Sequence, residues 1–301
     1  MDNANLRWDL ILRPYIDFVS RYYPDPSNEK RFNILIEKLT NNEIKNRVLI
    51  HGDEVMGYAF MINSMYGDRS IGNIGFMKKD YCNDIRLKNL LEWIHVNSGG
   101  LRVFLDEIFN ANDECDDILA KLGYSKVTRI KLTAKTNDLA NRSVKTIKVE
   151  SFNKKKIKEF VEAEYEAFKD TVDLTLLPSN ESGRITYIEE EINGTESTIV
   201  PEASFIYGSE KIQGGLITVK YLGTGEYFIS DLFVSKEQRN KGIATALLNE
   251  AAKALRNLKI EDVSLIVSEG NPAIDLYKKM GFEYSGQRKY VIYIETLSEN
   301  K

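Results

Sequence analysis

Cysteine, histidine and proline are scarce in this chain of 301 residues, which holds two, two and six of them. Two cysteines, Cys82 and Cys115, make no disulfide framework; they fit a reducing compartment and read as small buried hydrophobes. His51 and His95 are the only histidines, and neither Cys nor His follows Cys115. A Cys/His zinc site in the second half is therefore excluded, and no metal is expected. No apolar run approaches the ~20 residues that cross a bilayer. The first dozen residues lack a basic stretch followed by an apolar run, so no signal peptide is expected and the chain is placed in the cytoplasm. A basic excess is also missing: 41 Lys and Arg stand against 45 Asp and Glu, a net charge of −4. Proteins that hold duplexes usually carry the opposite balance, so neither nucleic acid nor membrane is expected as a partner. What remains is a globular composition, 43% apolar with 29% charged residues.

The length suits two domains of ordinary size. Self-similarity supports that division. Asp116-Asp-Ile-Leu-Ala-Lys-Leu-Gly-Tyr124 resembles Asp275-Leu-Tyr-Lys-Lys-Met-Gly-Phe282, each a short helical pattern closed by glycine and an aromatic residue. Upstream, Val48–Phe60 echoes Phe205–Ile217, and both read as hairpins. Gly123 and Gly281 lie 158 residues apart, and Gly57 and Gly214 lie 157 apart. Long amphipathic helices are predicted around Ile85–His95 and Gly242–Leu258. The polar stretch Thr133–Ser143 is read as the boundary, giving domains of 1–142 and 143–301. The first carries 20 basic and 20 acidic residues and the second 21 and 25, too small an asymmetry to assign a partner.

In the second half, strands are predicted at Val144–Val149, Ser204–Tyr207, Gly215–Tyr221, Tyr227–Val234, Val263–Val267 and Tyr290–Glu295. Helices are predicted at Lys154–Phe168 and Pro272–Met280, with a loop and a helix in Thr171–Glu191. This is α/β architecture, a mixed sheet flanked by helices. The run Asp113–Asp117 reads as a solvated face, since no calcium-loop spacing accompanies it, and Lys154–Lys158, at a helix start, reads as an exposed face rather than a nucleic-acid site.

The informative stretch is Asp231-Leu-Phe-Val-Ser-Lys-Glu-Gln-Arg-Asn-Lys-Gly-Ile-Ala-Thr-Ala-Leu-Leu248. A strand runs into a polar turn and then a helix beginning near Gly242. A helix start presents unpaired N–H groups and the positive end of the dipole, which suits a phosphate. Gly242 and Ala244 keep that start open, and Arg239 and Lys241 add positive charge beside it. Arg239-Asn-Lys-Gly-Ile-Ala244 resembles the R/Q-x-x-G-x-G/A signature of the GNAT superfamily of N-acetyltransferases. About 30 residues later, Asn271-Pro-Ala-Ile-Asp-Leu-Tyr-Lys-Lys-Met-Gly-Phe282 is similar to that family's later motif, although Asn271 stands one residue nearer Ala273 than is usual.

The resemblance covers roughly Val144–Glu295 and, more faintly, the first half. It implies two tandem GNAT domains, with acetyl-CoA as co-substrate. It also implies a sheet splayed between the strands Tyr227–Val234 and Val263–Val267, with the pantetheine arm in the gap. Backbone groups of Leu232, Phe233 and Val234 would pair with that arm. The N–H groups of Arg239, Asn240, Lys241, Gly242, Ile243, Ala244 and Thr245 would hold the pyrophosphate, and Asn271 would help hold the arm. Tyr277 would protonate the departing thiolate, a role a phenol protonated at neutral pH can fill. Asp231 is the candidate base; strand alternation groups it with Tyr227 and Ile229. Glu226 and Glu269 are weaker choices.

In the first half, aligning Met77 with Val234 sets Cys82 at the place of Arg239, Ile85 at Gly242, Leu87 at Ala244 and Leu119 at Tyr277. The branched Ile85 and Leu87 would fill the phosphate space, and the acid is missing. The first domain is therefore expected to be a degenerate copy that shapes the acceptor pocket. The expected activity is transfer of an acetyl group to a primary amine by direct attack in a ternary complex, with a small-molecule acceptor and a monomeric protein. The alternatives are an aminoacyl or longer-acyl transferase, a protein N-terminal acetyltransferase, and a non-catalytic acyl-CoA sensor or interaction module.

Overall fold

The computed structural model describes residues 6–169, 171–286 and 289–296. The chain divides into two units: Met1–Thr128 with Tyr290–Lys301, and Arg129–Lys289. The sequence reading placed one division at 142/143. The contacts divide the chain at 128/129 and again at 289/290, so each unit takes a strand from beyond that sequence boundary.

The first unit opens with α1 (Trp8–Ile11), α2 (Arg13–Tyr22) and α3 (Asn28–Thr40). It continues with β1 (Asn46–His51), β2 (Glu54–Asn63), β3 (Arg69–Phe76), α4 (Asp84–Asn97), β4 (Arg102–Asp106) and α5 (Cys115–Lys121). Next comes β5 (Tyr124–Lys135), whose later part belongs to the second unit. The sheet order is β1-β2-β3-β4, completed by the chain's last strand, Tyr290–Glu295. Trp8, Ile11, Leu12 and Leu39 pack on Tyr58 and Phe60, covering one face of β2. Leu87, Leu90, Leu91 and Ile94 are buried along one face of α4 at helical spacing and close the opposite layer, where Cys82 and Cys115 are buried too.

The second unit contains the end of β5, α6 (Thr136–Ala140), β6 (Glu150–Ser151), α7 (Ile157–Phe168), α8 (Glu181–Asn193), β7 (Ser197–Ile199), β8 (Phe205–Tyr207), β9 (Gly214–Tyr221) and β10 (Tyr227–Val234). It continues with α9 (Ile243–Asn257), β11 (Asp262–Ser268), α10 (Ala273–Met280) and β12 (Glu283–Tyr284), and β13 (Tyr290–Glu295) then returns to the first unit. The strand order is β5-β11-β10-β9-β8-β6, with β12 on β5 and β7 on β9. The seven-residue ladder from Arg129↔Ser268 to Lys135↔Asp262 makes β5 the outer partner of β11. One layer is α9, whose Leu247, Leu248, Ala251 and Leu255 pack with Ile229 and Leu265. The other is α7 and α8, whose Phe160, Val161, Ile188 and Ile192 pack with Phe228 and Phe233.

Two sequence expectations fail here. Val144–Val149 is irregular, and only Glu150–Ser151 pairs, with β8. Ile147 and Val149 pack on the α9 layer without entering a ladder. The last strand was assigned to the second domain and instead pairs with β4 in the first unit. Alternation shows that a segment is a strand and does not name its partner. Gly123 and Gly281, read as helix-closing glycines, both have the expected left-handed φ, +85° and +95°.

Candidate functional site

The parallel pairing of β10 with β11 consists of two positions, Phe228↔Ser264 and Ile229↔Leu265. Beyond Ile229, β10 stays on β9 as far as Val234↔Gly214, while β11 stays on β5 as far as Ser268. The two strands part, and the edge of β10 turned from β9 carries no strand. The cause is local. The β10–β9 register shifts between Ile229 and Asp231, so Ser230 is an extra residue, a β-bulge that bends and twists the strand.

The bulge also reverses the alternation. Tyr227 and Ile229 pack with the α9 layer, and so do Leu232 and Val234. Phe228 and Phe233 pack with α7 and α8. Asp231 therefore shares its face with Phe233, and the grouping with Tyr227 and Ile229 is corrected.

A cavity of about 580 Å³ fills the gap. Its walls are Leu232, Phe233 and Val234 on one side and Leu265, Ile266 and Val267 on the other. One end is the start of α9, lined by Arg239, Asn240, Gly242, Ile243, Ala244 and Thr245. The other end gathers Asp231, Tyr187, Leu176, Leu177, Asp173 and Arg129, with Asn271 just before α10 and Tyr277 on it.

At the α9 end, Gly242 is the helix N-cap with φ +84°, preceded by Asn240 at +61°. A Cβ at Gly242 would meet only the Cβ of Lys145 at 3.8 Å, so glycine is needed there for its backbone angle rather than for space. No side chain caps the helix. The first backbone bond, Ala246 N–H to Gly242 O, leaves the N–H groups of Ile243, Ala244 and Thr245 outside the helical ladder. The Arg239 N–H, in contrast, is held by Lys236 O at 3.3 Å. The Arg239 side chain turns to carbonyls, with Nη2 donating to Ala167 O (2.5 Å) and Nε to Val234 O (3.4 Å). It ties the turn to the end of α7. Lys241 does not line the cavity; its Nζ donates to Gln238 Oε1.

Asn271 lines the cavity with its amide committed. Oδ1 accepts from Ala273 N–H at the start of α10, and Nδ2 donates to Asp173. Asp173 also accepts from the Ser268 hydroxyl and lies 3.6 Å from the Arg129 guanidinium. Asn271 thus fixes α10 against the turn that carries Asp173. Tyr277 is 7% exposed, packs edge-on against Phe282, and its hydroxyl hydrogen-bonds no other described residue. Burial, then the nearby Asp173, raises its pKa, so the phenol is neutral and holds its proton.

The Asp231 carboxyl is buried and accepts from the Ser230 hydroxyl at 3.1 Å. The Glu164 carboxyl from α7 lies against it, fully buried. Burial raises the pKa of Asp231, and contact with Glu164 partly offsets that rise. Glu164 is raised well above the carboxylate range, by burial and then by Asp231. Glu191 on α8 is pushed up to about 8 by the same two causes. Glu164, Glu191, Tyr187, Asp173 and Arg129 were not singled out from sequence. Glu164 carried a signal: it sits on the stripe of Phe160, Val161, Ala167 and Phe168, where an acid is out of place on an apolar face. Of the weaker bases, Glu226 pairs with the buried Lys131 (2.6 Å) and Glu269 with Lys289 (2.5 Å); neither lines the cavity.

The model of the acetyltransferase (GNAT) family matches residues 162–282, from α7 to the end of α10. Residues 162–282 belong to the GNAT family. The structure of a GCN5-related N-acetyltransferase from Sphaerobacter thermophilus is similar over 97% of this chain and 91% of that one, at 18% identity and a TM-score of 0.58. A tandem GNAT protein from the clavulanic acid biosynthesis pathway is similar over 98% of both chains, at 13% identity and a TM-score of 0.53. A conserved protein from Staphylococcus epidermidis is similar over 84% of this chain and 96% of its own, at 13% and 0.55. These likenesses are of fold, and they extend the tandem GNAT architecture over nearly the whole chain. No curated protein sequence matches it. The fold is one that serves acyl transfer. Among the described residues, no group of three or more metal-ligating side chains could hold an ion, and no helix is long and apolar enough to cross a membrane.

The first unit keeps the layers of a GNAT domain and lacks the gap. β3 and β4 pair in parallel from Arg69↔Arg102 to Gly72↔Leu105. They are then fastened again, because Phe109 N–H donates to Ile74 O and Phe76 N–H donates to Phe109 O, both at 3.0 Å. The start of α4 is capped by its own Asn83, which accepts from Arg86 N–H at 3.0 Å. Ile85 and Leu87 were expected to fill a phosphate space; instead Leu87 is buried in the core and Ile85 is 79% exposed. Among the described residues of this unit, therefore, neither the parted strands nor the uncapped helix start of the second unit recurs. Leu119, opposite Tyr277 in the alignment, is a core residue.

Proposed function

We propose that the second unit transfers an acetyl group from acetyl-CoA to a primary amine of a small molecule, by direct attack with both substrates bound. The observation that carries this reading is the cavity between the parted strands, running from an uncapped helix start to a buried carboxyl and a protonated phenol.

The residues present fit acetyl-CoA. The N–H groups of Ile243, Ala244 and Thr245, with the dipole of α9, suit a pyrophosphate. The unpaired edge of β10 at Leu232–Val234 suits the amides of a pantetheine arm. Acetyl-CoA, when bound, supplies an activated acetyl group and a thiol leaving group. Asp231 binds the ammonium of the acceptor and removes its proton, and the buried site strengthens that interaction. Tyr277 holds a proton within the same cavity for the departing sulfur. Leu176 and Leu177 exclude water and accommodate an apolar part of the acceptor. Much of the acceleration comes from holding the two reactants together. The reading includes a cytoplasmic, monomeric enzyme with neither nucleic acid nor membrane as partner.

The test is titration of the purified protein with acetyl-CoA, followed by thermal unfolding, beside Gly242→Glu. Ligand at ~100 times its Kd stabilises its unit by about 2.7 kcal/mol. Stabilisation of wild type that is lost in the variant, with thiol release on adding amines, supports the reading. Binding without thiol release for any amine favours the acyl-CoA sensor, and no binding at millimolar acetyl-CoA overturns both.

A further inference from the structure

Glu164 has no counterpart in the sequence motifs and does not line the cavity, yet it is the most deeply buried acid among the described residues, at 0% exposed. Neither of its oxygens accepts a hydrogen bond from a donor among the described residues. Its neighbours explain why it is not simply ion-paired. Arg184, the basic residue near it on α8, donates to Pro178 O and Ser179 O and stacks on the Tyr165 ring at 4.1 Å. What Glu164 meets is the carboxyl of Asp231, which the bulge turns onto the α7 face of β10 beside Phe233, both acids being buried there. Two carboxylates cannot both be charged at contact in a buried site, so such a pair shares a proton.

We propose that Glu164 is a positioning residue for acyl transfer: sharing one proton with Asp231, it leaves a single negative charge facing the cavity, which selects a protonated primary amine and takes the proton that amine gives up. This rests on the acyl-transfer reading above. The groups facing Asp231 are Glu164 on α7, Glu191 and Tyr187 on α8, Arg129 on β5, Tyr277 on α10 and its neighbour Ser230. Of these, Arg129 is the one basic group, and the Asp173 carboxylate faces it at 3.6 Å.

The ammonium gives one proton to the pair, which becomes neutral, and a free amine remains. The nitrogen–carbon bond forms as the carbon–sulfur bond breaks. The nitrogen's second proton balances the thiolate, which leaves as a thiol with Tyr277 as relay. The pair returns its proton to water on product release, so one proton is released per turnover from a protonated amine.

The experiment is the pH profile of kcat/KM for thiol release with a primary amine, in wild type, E164Q and E164A, with an infrared difference spectrum of the resting proteins at neutral pH. Glutamine keeps a donor against Asp231, so E164Q holds the acid limb of the profile in place. Alanine removes the donor and moves that limb up by about one unit, a tenfold loss below it. The wild-type minus E164Q spectrum shows a protonated-carboxyl stretch; this does not depend on turnover or on E164A folding. An unmoved limb in E164A, or no such stretch, overturns the proposal. If wild type with bound acetyl-CoA turns over no amine, the acyl-transfer reading falls and the role of Glu164 in amine selection falls with it. The spectrum then reports separately whether the shared proton exists.

Discussion

Ile229 and Leu265 form the last parallel pair between β10 and β11, and the next residue of β10, Ser230, is the bulge at which the strands part. One inserted residue thus opens the gap and turns Asp231 from the α9 face to the α7 face. In the first unit the corresponding strands are closed again through Phe109.

Gly242→Ala places a side chain at φ +84°. The left-handed backbone costs an L residue about 1–2 kcal/mol. The expected outcome is a lower unfolding midpoint for the second unit and weaker acetyl-CoA binding, measured by thermal melts and calorimetric titration. Equal affinity in the variant would show that this helix start does not hold the pyrophosphate.

Tyr277→Phe removes a hydroxyl that no described residue bonds. Stability is expected to change by less than about 0.5 kcal/mol. Loss of the proton donor is expected to lower kcat about 10²- to 10⁴-fold with KM little changed. A kcat within twofold of wild type would remove Tyr277 from the chemistry.

Arg239→Met strips donors from the carbonyls of Ala167 and Val234. A loss of about 1–3 kcal/mol in denaturant unfolding is expected, whereas Lys241→Met, at an exposed side chain, stays within about 0.5 kcal/mol. Equal effects would refute the assignment of Arg239 to tying the turn onto α7.

Glu191 has an ordinary value of 4.5 that rises to about 8 in the fold. Between these pH values the folded protein binds more protons at this site than the unfolded chain. Its stabilising contribution is full below pH 4.5 and is lost as pH rises through 8. Glu191→Gln is therefore expected to melt above wild type at pH 8, with the difference shrinking toward pH 5. Identical melts at pH 8 would contradict the burial of its charge.

Much of the site was legible as local pattern. Arg239–Ala244 marked an open helix start because glycine, small residues and a polar turn after a strand are chain-local features. The Gly281 cap followed from the helical pattern it closes, whereas Tyr277 was named only through the resemblance to the GNAT family's later motif. Asn271 too was named through that resemblance, and its tie to Asp173, 98 residues away, is no local feature. Asp231 was named as a candidate base on the wrong face, because an uninterrupted period of two cannot reveal a bulge.

Periodicity and composition by themselves determined an α/β protein with a repeated architecture and one open helix start, because helices and strands impose periods of 3.6 and 2 on whatever they bury. Only the tertiary structure decided where β5 and β13 pair, where the sheet opens, and that Glu164 meets Asp231. Those outcomes depend on hydrogen-bond partners and contacts distant in sequence, which no local pattern records. A strand's pattern is the same whichever edge it joins, and an acid's pKa depends on the residue that folding brings against it.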